Sequence, residues 1–358
     1  MNKLDKNLSE RYKQSTKLVQ STGKPRNLTI PSVILFVSGY LIYTALSGTL
    51  YFVALKNSLD SGVVFPIILG LGFIGYIVEC IREFICFVKS DKTIAVWSKE
   101  DIFKILSVVI SSIVTFLISG DLGMNTIIAS ALVGLIAALI IPKFSGEIFC
   151  GSFVGMVSHM LIGNIFYLLL AGLVAGIVFV IIGNRVFQGF GGKMGASAFS
   201  ACVIMLLLNG KRITGAAITE SEVIALILVF SVLSAVLTYS ISVRLKFGPV
   251  LASSIIGLIG GLILPIVYLE YGNILAAVNF CASFSGMAAK ERFPNELSMI
   301  LVGFITGLIF IFSYTFMVGA GGKLGTIALA SNIACAGMIS IFAAVKRKIS
   351  RLTEIVSQ

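Results

Sequence analysis

The sequence predicts an all-α integral membrane protein of about 12 transmembrane segments, two N-terminal helices followed by an inverted repeat of five plus five helices. Three observations predict it. Charge is scarce, apolar runs long enough to cross a bilayer recur along the chain, and its C-terminal two-thirds repeats itself. Of 358 residues, 57% are hydrophobic and 12% charged, with a mean hydropathy of +1.03; soluble domains carry roughly 25% charged residues. Crossing ~30 Å of hydrocarbon at 1.5 Å per residue takes about 20 apolar residues, the length at which the runs recur.

The chain opens with 7 of its 27 basic residues in the first 26 positions. Residues 1–28 therefore read as a cytoplasmic basic tail. Leu4, Leu8, Tyr12 and Leu18 recur at near-helical spacing among Lys3, Lys6, Arg11, Lys13 and Lys17, a pattern that could lay an amphipathic helix on the membrane surface; a solvated tail is the simpler reading. The stretch is too long and too basic for a signal-peptide n-region, so the apolar run after Pro31 is expected to stay as the first membrane helix.

Breaks at Gly, Pro and charge divide the rest of the chain. Segments at 32–55 and 62–88 form, with their loops, a unit of two extra helices over 29–101. Repeat 1 (102–221) holds segments 102–119, 123–142, 146–160, 163–184 and 193–209, and repeat 2 (222–345) holds 222–243, 247–269, 273–289, 297–318 and 322–345. The short 146–160 and 273–289 are rich in Gly, Ser and Cys, so discontinuous or re-entrant helices compete with full spans there. Residues 346–358, with Lys346, Arg347, Lys348 and Arg351, read as a second basic tail.

The duplication is visible residue by residue. Leu122, Ala129, Ser130, Gly134, Leu135, Ile136, Leu139 and Pro142 recur as Leu245, Ala252, Ser253, Gly257, Leu258, Ile259, Leu262 and Pro265, at a constant offset of 123. After an insertion of eight residues, the string Phe149-Cys-Gly-Ser-Phe-Val-Gly-Met156 recurs as Phe280-Cys-Ala-Ser-Phe-Ser-Gly-Met287, and Asn164, Gly172 and Gly176 recur as Asn295, Gly303 and Gly307. With one residue lost, Gly191-Gly-Lys-Met-Gly195 meets Gly321-Gly-Lys-Leu-Gly325. Shared Leu and Gly alone would say little in a membrane chain. Two strings in the same order at nearly the same separation are hard to obtain by chance.

Five segments per copy return the chain to the opposite face, so the second copy should insert upside down. Basic residues agree. With a cytoplasmic N-terminus and twelve spans, the inner regions collect the tails, Lys89, Lys92, Lys99, Lys104, Lys143, Arg185, Lys193, Arg244, Lys246, Lys290 and Arg292, leaving Lys56, Lys211, Arg212 and Lys323 outside. Both termini are thus expected in the cytoplasm, the membrane being a plasma membrane such as a bacterial inner membrane. If both short segments were re-entrant, the copies would instead be parallel.

Inverted five-helix repeats are a recurrent plan of secondary transporters, which bind near the midplane where helices are interrupted. Candidate solute-binding residues are therefore Gly191, Gly192, Lys193, Gly321, Gly322 and Lys323, a glycine turn and a cation at a helix start that together suit an anion. Snorkelling of each Lys is the competing reading. Ser152 and Ser283, beside Gly151, Gly155 and Gly286, would face the pathway or pack helices. Asn164 and Asn295 would bind solute or cap the next helix, capping being the simpler role. His159 aligns with Lys290 and reads as a loop end, and Glu79 and Arg82 share one helical face and pair.

These features favour a carrier of a small solute, an anion being the class the lysines suit, with lipid and that solute as partners and self-association into a homo-oligomer as a role for the two extra helices. A channel or a structural subunit of a membrane complex is the alternative. An enzyme acting on a lipid-linked substrate is disfavoured by one His, no HExxH and no carboxylate cluster near a polar loop. The net charge of +11 serves topology, since no basic-aromatic interleaving suggests nucleic acid. The six cysteines have no CxxC spacing, so neither a disulfide framework nor a metal site is expected. No cofactor is expected; a coupling ion would be held by hydroxyls, amides and carbonyls, which suits Na+.

Overall fold

In a computed structural model, which describes residues 29–30, 32–89, 95–96, 98–183, 186–211, 213 and 215–356, the apolar runs become twelve α-helices. They are α1 (Ser32–Ser58), α2 (Val64–Lys89), α3 (Lys99–Gly120), α4 (Thr126–Ile140), α5 (Ser145–Gly155) and α6 (Ile165–Ile177, continued by a π turn over Val178–Ile182). There follow α7 (Lys193–Asn209), α8 (Ser221–Tyr239, continued by a π turn over Ser240–Arg244), α9 (Pro249–Val267), α10 (Gly272–Gly286), α11 (Glu296–Ser313) and α12 (Lys323–Val356). The one sheet among the described residues is a two-residue antiparallel bridge of Thr29–Ile30 with Ala95–Val96.

Eight helices, α1, α2, α3, α6, α8, α9, α11 and α12, are long and apolar enough to cross a membrane. The other four, α4, α5, α7 and α10, have 15, 11, 17 and 15 residues. Faces such as Ile67, Leu71, Ile74 and Ile81 of α2 stand exposed. An apolar helix face that no other element covers is what lipid, rather than water, solvates.

Local chemistry sets most boundaries. Ser98 and Asp101 form a capping box at the start of α3, Asn125 caps α4 by accepting from Ile127 N, and Pro249 opens α9 directly after Gly248. The described part of the basic 346–358 stretch is helical, because α12 runs on to Val356 with neither Gly nor Pro after Gly337 to stop it. The amphipathic pattern of residues 1–28 lies outside the described residues.

The 146–160 segment forms α5 and a turn. Gly151 lies against Val108 O, Gly155 against Ser112 O, and the ring of His159 stacks on Phe116 at 3.8 Å. Numbers rise together on both helices, so α5 runs parallel to α3 and its turn reaches the last residues of that helix. A Cβ on Gly286 would meet Ala235 O and the Thr238 Cβ, which lie 123 residues beyond Ser112 and Thr115. The same small-residue contact is therefore made by α10 on α8.

The hairpin α1–α2 lies against the later helices. Gly75 and Gly337 bring α2 and α12 into backbone contact, and the Tyr43 hydroxyl bonds the Ser197 hydroxyl of α7 at 2.7 Å. Close approach of this kind substitutes dispersion for the hydrophobic drive that lipid removes.

Candidate functional site

The two GGK strings meet at the middle of the bundle. Phe187, Gly189 and Gly192 have φ of 48°, 78° and 87°, and Met317, Gly319 and Gly322 have 49°, 76° and 80°, so both strings enter their helices through the same left-handed turns. A Cβ on Gly191 would collide with Phe284 O, and one on Gly321 would lie 2.5 Å from Phe153 O. Each glycine turn thus rests its backbone on the final turn of the FCxSFxGM helix from the other half. Beyond the turns, Gly192 faces Leu329, Gly195 faces Gly325, and Gly322 faces Phe199. Numbers fall on one helix as they rise on the other, so α7 and α12 begin by passing each other antiparallel.

Four phenylalanines fill the space between these turns. Ring centroids are 4.4 Å apart within Phe149–Phe153 and within Phe280–Phe284, 4.6 Å for Phe153–Phe284, and 6.0 and 6.2 Å for Phe149–Phe284 and Phe153–Phe280. Two cavities border the cluster and share Phe153 and Phe284 as wall. The smaller, of about 180 Å³, is lined by Phe179, Phe190, Gly191, Gly192, Lys193, Met194 and Met287. The larger, of about 320 Å³, is lined by Phe310, Tyr314, Gly322, Lys323, Leu324 and Met156, with Asn125 and Asn273 near its rim. Phe179, Gly192, Lys193, Met194 and Met287 are the repeat equivalents of Phe310, Gly322, Lys323, Leu324 and Met156.

The lysines hold backbone. Lys193 Nζ donates to Gly183 O at 3.1 Å and Val186 O at 3.3 Å, and Lys323 Nζ donates to Tyr314 O at 2.8 Å. Gly183 and Tyr314 lie where the preceding helix, α6 or α11, ends, so each ammonium first complements a carbonyl terminus. An ammonium has three donors, and both lysines line a cavity.

The other expected residues lie elsewhere. Ser152 and Ser283 are fully buried and bond Ser130 and Ser253 at 2.8 Å each, joining α4 to α5 and α9 to α10. They serve helix packing and line neither cavity. Asn164 accepts from Phe166 N and Asn295 from Ser298 N, both at 3.0 Å, so both are caps. Cys150 and Cys281 donate to Met194 O and Leu324 O, the carbonyls directly after the two lysines. His159 is exposed in its turn.

Three arrangements are not apparent in the linear sequence. Asn125 Nδ2 donates to Asn273 Oδ1 at 3.1 Å, linking the starts of α4 and α10. A hydroxyl cluster joins Ser285, Thr306 and Ser331. The expected Glu79–Arg82 pair, 2.9 Å, is one edge of a larger network in which Arg292 contacts Glu79 at 3.4 Å and Glu83 at 2.5 Å, donates from Nε to Gln188 O at 2.8 Å, and lies over the Phe190 ring at 4.2 Å. The i, i+4 spacing of two glutamates on an apolar helix was the only sequence signal of it. Among the described residues no group of three His, Cys, Asp or Glu could hold a metal.

The class that fold and site define is a helical, multi-pass membrane protein with paired cavities at its centre. No protein-family model, curated protein or solved structure matches the chain.

Proposed function

We propose that the protein is a secondary transporter of a small solute, working by alternating access between two inverted five-helix copies that together with α1 and α2 make twelve spans. The observation that carries this reading is the pair of cavities with equivalent linings, which share Phe153 and Phe284 as wall. In a duplicated carrier, exchange of conformations between copies opens first one cavity and then the other, with the rings as the moving barrier. The antiparallel passage of α7 and α12 supports inversion, because equivalent helices of inverted copies run in opposite directions. The parallel course of α5 and α3 supports a span for the short segment.

An anion is the solute class we favour. Each cavity is lined by a lysine next to a glycine turn at a helix start, where N–H groups and dipole act in the same sense as the ammonium. The excess of Lys and Arg assigned to one face supports cytoplasmic termini.

Flux in liposomes tests the proposal. Purified protein should give saturable uptake of a member of an anion panel, and Lys193→Gln with Lys323→Gln should raise the half-saturating concentration about 10- to 100-fold, the worth of one charge-assisted hydrogen bond. Unchanged affinity in folded protein would remove the lysines from the site, and linear, unsaturable flux would favour a channel. Inversion has its own check. A cysteine placed at Gly210 should label only from the side opposite to one placed at Ile349, and labelling of both from one side would end the inverted arrangement.

A further inference from the structure

The two copies differ most tellingly where their packing is otherwise the same. Val154, Ala175, Ala201 and Cys202 of the first copy are all buried between α5, α6 and α7. Their equivalents in the second copy are Ser285, Thr306, Ser331 and Asn332, equally buried between α10, α11 and α12. The first copy shows that this junction packs with apolar side chains alone. Four polar groups at the same junction therefore answer to something other than packing.

Their geometry identifies what. The hydroxyl oxygens of Ser285, Thr306 and Ser331 form a triangle with sides of 2.8, 2.6 and 3.4 Å. Thr306 also donates to Val302 O and Ser331 to Ala328 O, which turns lone pairs inward. Asn332 commits its Nδ2 to Ala328 O at 2.8 Å and Ser285 O at 3.4 Å, while its Oδ1 is buried without a hydrogen-bond partner. A buried acceptor left in that condition costs about 1–3 kcal/mol, a cost that a bound positive charge would offset. Ser285 lies in the last turn of α10, which closes at Gly286, so the carbonyl end of that helix adjoins the cluster.

We infer that Ser285, Thr306, Ser331 and Asn332 form a monovalent-cation site, of sodium size, present in the second copy only. A cation seated above a hydroxyl triangle of these dimensions can reach all three oxygens at about 2.4 Å, a distance hard cations of that radius take. The ligands carry no formal charge, which disfavours a divalent ion, whose dehydration needs carboxylates. Phe284 adjoins Ser285, and Phe310 lies one turn beyond Thr306; both line the larger cavity. Ion occupancy is thus positioned to fix the end of α10 against α11 and α12, the elements that bound that cavity. That the ion drives solute flux rests on the carrier proposal; that it binds does not.

The test is the thermal unfolding of the purified full-length protein in NaCl, KCl and choline chloride at one ionic strength. Sodium should raise the unfolding temperature saturably, by an amount on the order of a few degrees, and choline should not. Exchanging the four residues for those of the first copy, Ser285→Val, Thr306→Ala, Ser331→Ala and Asn332→Cys, should abolish the shift. Thr306→Ala alone, for use if the fourfold exchange does not fold, should raise the half-saturating sodium concentration at least tenfold, and Thr306→Ser should restore it. A wild-type protein indifferent to sodium, or an exchanged protein that still responds, overturns the site. Sodium binding without solute flux retains the site and removes the carrier reading, whereas flux from a protein whose unfolding ignores sodium does the reverse.

Discussion

Replacing Gly322 by Ala is expected to destabilise the protein by roughly 2 to 5 kcal/mol, the sum of ~1–2 for holding an L-residue in left-handed backbone and ~1–3 for overpacking. Gly322 has a φ of 80°, and a Cβ there would overlap Gly195 O and Phe199 N and approach the Ala198 Cβ to 2.8 Å. Two of these obstacles are backbone, so no rotamer change relieves them. Gly210→Ala provides the control. Its φ is 67° in the same left-handed region, but nothing lies within 4 Å of its Cβ, so only the conformational cost of about 1–2 kcal/mol applies. Gly192, with a φ of 87° against Gly325 O and Leu329 N, should behave like Gly322. The measurement is unfolding temperature and the monodisperse fraction after extraction. Equal losses at Gly322 and Gly210 would mean that the crossing of α7 and α12 is looser than its contacts imply.

That crossing also shows what a linear reading can reach. The segment expected at 193–209 is the observed α7, Lys193–Asn209, because glycines with positive φ bracket it at 192 and 210, and glycine takes the left-handed conformation that ends a helix at least cost. The glycine turns were legible for the same reason: a pair of glycines before a lysine has few uses. Ser152 and Ser283 stayed open, since repetition of their strings marks a shared constraint without saying whether that constraint is a lining or a packed seam. In the structure each hydroxyl is bonded to the serine of the helix before it. The four phenylalanines had no contrast in a chain with 26 of them, so their convergence needed three dimensions. The polar junction of Ser285, Thr306, Ser331 and Asn332 was within reach of the alignment, because its equivalents are apolar. Those four positions lie on three helices, however, and only the fold brings them together.

The second large effect is expected at Arg292, which lies 213 residues from Glu79 and so left no local spacing to find. Arg292→Leu should destabilise by about 3–5 kcal/mol, the usual cost of removing one partner from a buried ion pair. Glu79 and Glu83 are 2% and 1% exposed, so neither carboxylate can turn to water when the guanidinium is lost. Arg82 still pairs with Glu79, whereas the 2.5 Å contact of Glu83 with the guanidinium is lost outright. Adding Glu83→Leu to Arg292→Leu should therefore recover stability, an interaction of the order of 1–3 kcal/mol in a double-mutant cycle. Arg292→Lys should not substitute, because a compact ammonium cannot span two carboxylates, reach Gln188 O and lie flat on Phe190 together. The last two contacts give the network a second consequence. Gln188 and Phe190 belong to the segment that leads into the glycine turn of α7, and Phe190 lines the smaller cavity. On the carrier proposal, a protein rescued by the second leucine should recover its unfolding temperature without recovering flux, since the charge imbalance is repaired while the turn remains unheld. Recovery of both would reduce the network to a stability element. No change on Arg292→Leu alone would show that the guanidinium is not what keeps the two glutamates buried.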